Sequence, residues 1–290
     1  MPLEPIEICD GDDAAASNRR ALCVDRHLAA GLGSETLRAI REGGYLLPDG
    51  CRVDWSESVA AAIAAKVTIP PEANLPGGGG NLASTSLAVA NETTLNAAKQ
   101  LVSQGEKPLV LNMANGVSPG GGFLTGARAQ EEVLCRSSAL HATLDGDAMY
   151  SAHRSRSDYE SSDWMILSPR VPVFRTDAGA PLDQPWLCDF ITSAAPFAPR
   201  VGQPRSSQLM TQRISRLLHV AAAFKYEALV LGAWGCGAFR NDPEATAASF
   251  RAALNGPFEG CFKHVQFAIT DWSPERRFLG PFRDEFMRQV

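Results

Sequence analysis

From residue 81 onward, short apolar segments alternate with longer stretches of helical character. The segments "LASTSLAVA", "KPLVLNMAN", "EALVLGAW" and "HVQFAIT" have the length and the continuous apolar character of buried strands. Strands that are apolar along their whole length are typical of sheets that helices cover on both faces. The alternation therefore predicts an α/β domain with a parallel or mixed central sheet.

The residues before this domain follow a different pattern. About the first 16 are expected to be loose, and two helices follow, the second with Ser34 as its N-cap. The Pro/Gly-rich segment "IPPEANLPGGGG" (69–80) favours a loop or linker. We therefore expect a mainly helical N-terminal extension over residues 1–80, packed on a core domain over residues 81–290.

Charge and cysteine usage limit the classes of function. The formal net charge of −5 argues against a broad grip on a phosphate backbone, so no direct nucleic-acid binding is expected. No apolar run reaches the length of about 18 residues that a membrane span needs. Seven cysteines without CxxC spacing and five scattered histidines indicate reduced thiols in the cytoplasm. The same scatter predicts neither a metal site nor another cofactor.

Two glycine-rich loops follow apolar strands, at the sheet edge where ligands of such domains bind. The first is "GVSPGGGFLTG", with glycines at 120–122, and the second is "GAWGCGAFRNDP", with Gly232, Gly235 and Gly237. Neither contains the GxxxxGK[ST] pattern or a GxGxxG in its usual context. Backbone N–H groups in such loops favour phosphate, so the pair predicts a diphosphate that is gripped from two sides. Tight turns without a ligand are the alternative interpretation.

Gln130, Glu131 and Glu132 begin the helix that follows the first loop. Acidic residues in a first turn can simply stabilise the helix dipole. Because neighbouring helix residues point about 100° apart, however, the two carboxylates cannot do the same job. One can contact substrate hydroxyls while the other donates and accepts a proton, which suits glycosidic-bond cleavage.

GGG, seven residues and then QEE resembles the motif of the poly(ADP-ribose) glycohydrolases, and specifically of their compact microbial branch. "VANETTL", "SPRVPVFR", "FITSAAP" and "LVLGAWGCGAFRNDP" are similar to that branch in the same order, so the resemblance covers roughly residues 18–270. It implies a macrodomain-like three-layer α/β/α fold with a mixed central sheet. ADP-ribose would lie across the strand ends of this sheet.

The resemblance also implies residue roles. Glu132 would be the catalytic acid and base, and Glu131 would hydrogen-bond the distal ribose. The residues implied to bind substrate are Asn115, Gly120, Gly121, Gly122, Phe123, Gln130, Gly235, Cys236, Gly237, Ala238 and Phe239. The adenine side would involve Asn91, Glu92 and Thr93. From the residues alone, Phe123 fits a core position as well as a wall of the ligand site.

The expected function is therefore metal-independent hydrolysis of the ribose–ribose O-glycosidic bonds of poly(ADP-ribose), from chain ends, with release of ADP-ribose. The expected substrates are the polymer or ADP-ribosylated protein, and the expected assembly is a monomer. A hydrolase of mono-ADP-ribose on protein or nucleic acid is one alternative. A non-catalytic ADP-ribose-binding macrodomain is another, although a binding module has no need of a proton shuttle. An unrelated nucleotide-sugar enzyme is a third.

Overall fold

The computed structural model describes residues 3–77 and 79–287. The strands in these ranges are β1 (Leu3–Cys9), β2 (Gly44–Leu46), β3 (Arg52–Asp54), β4 (Val67–Ile69), β5 (Thr85–Ala90), β6 (Pro108–Ala114), β7 (Met165–Arg175), β8 (Pro181–Ala194), β9 (Ala228–Leu231) and β10 (His264–Ala268). The α-helices are α1 (Asp12–Leu22), α2 (Arg26–Glu42), α3 (Ser56–Ala65), α4 (Thr94–Ser103), α5 (Gln130–Ser137), α6 (Leu140–Leu144), α7 (Ala148–Arg154), α8 (Ala198–Val201), α9 (Arg205–Ala223), α10 (Pro243–Leu254) and α11 (Leu279–Met287).

Eight strands form the central sheet in the order β1-β5-β10-β9-β6-β8-β7-β4, and β2 and β3 pair separately. The first six strands in this order run parallel to one another, whereas β7 pairs antiparallel with both β8 and β4. The predicted mixed sheet is therefore confirmed. Because β5, β10, β9, β6 and β8 are parallel, their carboxyl ends meet at one edge of the sheet.

Helices cover both faces of this sheet. Successive residues of a strand face opposite sides, and β6 shows the consequence. Leu109 and Leu111 belong to the apolar cluster that contains Ile214 of α9 and Phe250 of α10. Val110, which lies between them, belongs to the cluster formed with α3 to α7. The continuous apolar strands thus reflect burial on both faces, and the expected three layers are confirmed.

The N-terminal segment differs from its prediction. Leu3–Cys9, within the segment expected to be loose, pairs with β5 as a parallel edge strand, and α1 begins at Asp12; residues 1 and 2 lie outside the described ranges. An edge strand tolerates a proline such as Pro5. β4 also joins the sheet, so residues before 80 supply both edge strands. The domain division at residue 80 stays a prediction, and Gly78 of the Pro/Gly-rich segment lies outside the described ranges.

Ser34 is not a helix cap. It lies inside α2, and the N-cap of that helix is Asp25, whose carboxylate accepts the amides of His27 and Leu28. Gly31 and Gly33, which precede Ser34, are therefore helical. Within residues 3–77 and 79–287, no helix is long and apolar enough to cross a membrane.

Candidate active site

A cleft of about 650 Å³ opens at the carboxyl edge of the five parallel strands. Each strand contributes residues just after its end: Glu92 after β5, Asn115 after β6, Ala195 after β8, Gly235 after β9 and Ile269 after β10. Strand ends of parallel sheets are the usual place for ligands, and the volume suits a small molecule. The sequence prediction that both glycine loops meet at this edge is borne out by the positions of their strands.

The first glycine loop uses its backbone amides to hold the two glutamates. The carboxylate of Glu131 accepts the amide N–H of Asn115 at 2.7 Å and that of Gly120 at 3.2 Å. Oε1 of Glu132 accepts the amide of Gly122 at 2.9 Å. The chain's own carboxylates therefore occupy these amides, and the prediction that this loop presents them to a phosphate does not fit the structure.

Gly121 lies directly against both carboxyl groups. A Cβ at this position would lie 2.4 Å from Oε1 of Glu132 and 3.0 Å from Oε2 of Glu131. Its φ of +56° also lies in the left-handed region that favours glycine. The triple glycine is thus explained at its central position, because a side chain there would displace the glutamates.

The two glutamates are buried at the start of α5 and line the cleft. Burial raises the pKa of Glu131 to about 8, and repulsion from Glu132 adds to the rise, although the amide of Asn115 opposes it. Oε2 of Glu132 is buried and has no hydrogen-bond partner among the described residues. That oxygen is therefore the carboxylate atom of the pair that is left for a ligand.

Gln130 and Asn115 hold this arrangement in place. Oε1 of Gln130 accepts the amide of Met113, and its Nε2 donates to the carbonyl of Leu111 at 2.6 Å. The amide group of Gln130 thus ties α5 to β6 while its side chain lines the cleft. Oδ1 of Asn115 accepts the amide of Val117, which leaves Nδ2 as the side-chain donor for a ligand.

The second loop leaves backbone amides at the cleft without a hydrogen-bond partner among the described residues. Gly237, Ala238 and Phe239 line it, and their amides donate no hydrogen bond within residues 3–77 and 79–287. Gly235 supports the turn with a φ of +73°, and a Cβ there would lie 2.6 Å from Nδ2 of Asn241. Successive free amides in a glycine loop are suited to binding an anion. The phosphate prediction therefore fits the second loop.

Six predicted ligand residues do not line the cleft: Gly120, Gly121 and Gly122 of the first loop, and three others that lie beneath it. The ring of Phe123 is part of the core and packs 4.9 Å from the ring of His141. Burial raises the pKa of Cys236 to about 12, and its thiol donates to a backbone carbonyl. The side-chain amide of Asn91 bonds to Asn18 and to the backbone of Asp271. These residues support the cleft from below, whereas Glu92 and Thr93 line it as predicted.

Sequence reasoning missed several residues of the lining. Trp272, Arg277 and Phe278 follow β10 and flank the end of the cleft near Glu92. The sequence could have identified them, because "HVQFAIT" was predicted as a strand and its carboxyl end belongs to the edge of the sheet where ligands bind. Asp177 accepts the hydroxyl of Thr93 at 2.6 Å, and burial raises the pKa of its carboxyl group. Nothing in its local sequence marks it.

Comparison with known proteins gives a consistent picture. A family model for the catalytic domain of microbial-type PARG, that is, poly(ADP-ribose) glycohydrolase, matches residues 33–176. The poly(ADP-ribose) glycohydrolase of Thermomonospora curvata has 38% sequence identity and a TM-score of 0.84, and the match covers 90% of this chain and 100% of that one. Among curated protein sequences, none matches this chain.

Two similar structures hold ligands. The Thermomonospora curvata enzyme bound to the inhibitor ADP-HPD has 39% identity and a TM-score of 0.82, over 89% of this chain and 99% of that one. The poly(ADP-ribose) glycohydrolase of Deinococcus radiodurans in complex with ADP-ribose has 38% identity and a TM-score of 0.73, over 79% of this chain and 97% of that one.

Proposed function

This chain belongs to the family of microbial-type poly(ADP-ribose) glycohydrolases, and we propose that it hydrolyses ribose–ribose O-glycosidic bonds of poly(ADP-ribose) with Glu132 as general acid and base. The family activity is hydrolysis of this polymer. The geometry of the Glu132 carboxylate supports this assignment. Its Oε1 accepts the amide of Gly122, and its Oε2 has no hydrogen-bond partner among the described residues. A carboxyl group that is held through one oxygen and has no protein hydrogen bond at the other is suited to proton transfer.

In this proposal, the terminal ADP-ribose unit follows the strand ends. Its adenine lies at the end of the cleft formed by Glu92 and Trp272, and its diphosphate accepts the amides of the second loop, at Gly237 and its neighbours. The distal ribose lies between the two loops, within reach of Glu131 and of Nδ2 of Asn115. Its anomeric carbon then faces Oε2 of Glu132.

The chemistry needs a carboxyl group that donates a proton and later takes one back. Burial raises the pKa of Glu131 to about 8, so this neighbour of Glu132 stays neutral at neutral pH. Glu132 gives its own proton to the leaving ribose oxygen as the glycosidic bond breaks and an oxocarbenium-like ribose forms. The resulting carboxylate removes a proton from the water that attacks the anomeric carbon, which restores the acid. Glu131 hydrogen-bonds a hydroxyl of the distal ribose.

The mechanism we propose needs no metal ion. The carboxylates of Glu131 and Glu132 already accept backbone amides, which is how a protein anchors a carboxylate without a cation. Turnover should therefore be unchanged in EDTA. A rate that falls on chelation and returns with Mg²⁺ or Zn²⁺ would contradict this part of the proposal.

The substrate test compares end-labelled polymer with a mono-ADP-ribosylated protein. We expect ADP-ribose to be the small product from the first time point, while the remaining chains shorten one unit at a time, because attack starts at chain ends. Release of oligomers of several units at early times would indicate internal cleavage. Release of ADP-ribose from the modified protein but not from the polymer would favour the mono-ADP-ribosyl hydrolase. Binding of ADP-ribose without release from either substrate would favour the non-catalytic module.

A further inference from the structure

The sheet order fixes the direction in which the polymer leaves the cleft, if the proposed function is correct. Across the sheet, the residues that follow the strand ends come in this order: Glu92 after β5, Ile269 after β10, Gly237 after β9, Asn115 after β6 and Ala195 after β8. A terminal unit with its adenine at the β5 end places its distal ribose near β6. The bond to the preceding unit therefore points past β6, towards the end of β8.

A well-anchored loop lies on that side of the cleft. Residues 155–163, which we call the outer loop, connect α7 to β7. Just before it, Nδ1 of His153 donates to the carbonyl of Gly116 at 3.0 Å, and Arg154 donates to the carbonyl of Val117 at 2.9 Å. Within it, the carbonyl of Tyr159 accepts the amide of Phe197 at 3.0 Å. The outer loop is thereby tied to the first glycine loop and to the segment after β8.

A row of aromatic rings runs from the cleft to the outer loop. Phe239 lines the cleft and packs edge-on against Phe197, with ring centroids 5.8 Å apart. Phe197 lies 6.2 Å from Tyr159, whose side chain is 55% exposed. Tyr159 adopts a φ of +57°, an uncommon conformation for an aromatic residue. An exposed ring held in this way next to a ligand cleft offers a surface on which a base can stack.

The charges around Tyr159 favour a phosphate-containing ligand. In the outer loop Arg156 pairs with Asp158, and Arg205 of α9 pairs with Glu160, so these charges cancel. Arg154 and Arg200, in contrast, pair with no carboxylate within the described ranges. The guanidinium carbon of Arg200 lies 5.6 Å from the centroid of the Tyr159 ring. One guanidinium group without a carboxylate partner thus lies near the exposed ring of Tyr159, and a second, that of Arg154, lies just before the outer loop.

We infer that Tyr159, Arg154 and Arg200 form a subsite for the penultimate ADP-ribose unit, which carries the leaving hydroxyl. Its adenine stacks on Tyr159, and its diphosphate lies near the two guanidinium groups. The subsite holds the leaving group's unit in line with Glu132. Free ADP-ribose, which has no second unit, does not reach it.

The test measures kcat/KM on the polymer and the affinity for free ADP-ribose in Tyr159→Ala. We expect kcat/KM to fall roughly tenfold, since stacking of one base on an aromatic ring is worth about that much, while ADP-ribose affinity stays unchanged. Tyr159→Phe keeps the ring and should retain nearly all of the rate, which controls for loss of folding. Phe224→Ala is the matched control, because Phe224 is 38% exposed and follows the far end of α9, about 28 Å from Arg205 by the helical rise.

Arginine variants test the charged part of the subsite. Arg154→Ala and Arg200→Ala should each lower kcat/KM on the polymer and make it less sensitive to salt. Arg41→Ala removes the same charge near the far end of α2 and should leave the rate unchanged.

Three results would overturn the subsite. One is a polymer rate in Tyr159→Ala that falls no further than in Phe224→Ala. Another is a parallel loss of ADP-ribose affinity, which would place Tyr159 in the terminal-unit site. The third is wild-type protein that releases no ADP-ribose from the polymer, and this result alone would also remove the proposed function.

Discussion

The two glycine-rich loops lie at the ends of neighbouring strands but use their backbone amides differently. In the first loop, the amides of Gly120 and Gly122 donate to the chain's own glutamates. In the second loop, the amides of Gly237, Ala238 and Phe239 have no partner among the described residues. The amides of the triple glycine in the first loop are therefore all used within the protein and hold catalytic groups, whereas those of the second loop can receive a ligand.

The glycines of the two loops also differ in what occupies the space beside them. At Gly121 an added Cβ would meet a carboxylate oxygen at 2.4 Å, so the missing side chain makes room for the protein. At Gly237 an added Cβ would meet no protein atom within 4 Å, so the missing side chain makes room for something outside the protein. Similar sequence patterns thus serve catalysis in one loop and binding in the other. This contrast predicts that variants of the two loops fail in different assays.

The largest effect should come from Glu132→Gln. We expect turnover of the polymer to fall by about 10²–10⁴-fold, because the amide cannot transfer a proton. ADP-ribose affinity should be retained, since glutamine keeps the shape of the side chain and the second loop is untouched. Initial rates on the polymer and calorimetric titration with ADP-ribose measure the two quantities. A near-normal rate would show that the acid lies elsewhere.

Gly121→Ala should give the next largest effect, and again in the first loop. The methyl group would push the carboxylate of Glu132 away, and misplacement of a catalytic group by about 1 Å can cost 10²-fold in rate. The φ of +56° adds strain, so the melting temperature should fall as well. Affinity for ADP-ribose, measured on the folded fraction, should change much less than the rate. Equal losses of rate and affinity would remove the distinction between the loops.

Gly237→Val, in the second loop, should lower the affinity for ADP-ribose and leave the stability nearly unchanged. The valine side chain would occupy the space from which a diphosphate approaches the amides, and affinity for ADP-ribose should fall by about 2 kcal/mol, roughly 30-fold. Stability should hardly change, because Gly237 does not adopt a left-handed conformation and has open space beside it. The measurements are calorimetric titration and a thermal melt.

Gly235→Ala is the matched comparison within the same loop. Gly235 has a φ of +73°, and its Cβ would collide with the buried Asn241. This variant should therefore lose stability first. If Gly237→Val keeps wild-type affinity, the second loop is a tight turn away from the ligand.

Much of this site follows from local sequence patterns. Continuous apolar runs identified the strands, and the carboxyl ends of those strands located both loops and the start of α5. The structure then adds contacts between groups that are distant in sequence. The amide of Gly122 bonds to a side chain ten residues later, and which amides remain free depends on that rotamer. No pattern of residue types contains this information.

Other parts could not be predicted because their function depends on tertiary neighbours. Asp177 reaches the cleft through its bond to Thr93, which is 84 residues away. Phe123 fitted core and ligand wall equally well in sequence, and the packing against His141 decides for the core. The strand Leu3–Cys9 exists because the edge of β5 is available for pairing, and its own sequence has little strand character.

The smallest predicted effect comes from a change of pH, which tests the difference between the two loops in the wild-type protein. Because burial raises the pKa of Glu131 to about 8, Glu131 loses its proton as the pH rises through that value and places a negative charge beside Glu132. Polymer turnover should therefore decrease roughly tenfold between about pH 7 and about pH 9, in proportion to the protonated fraction of Glu131. The second loop offers backbone amides, which do not titrate, and the thiol of Cys236 keeps its proton because its pKa is raised to about 12. Affinity for ADP-ribose should consequently stay nearly constant over the same range.

Rates and calorimetry in parallel, with a thermal melt at each pH, measure the difference. If affinity falls as steeply as turnover, the titrating carboxylates govern binding as well. The assignment of catalysis to the first loop and of binding to the second would then be wrong.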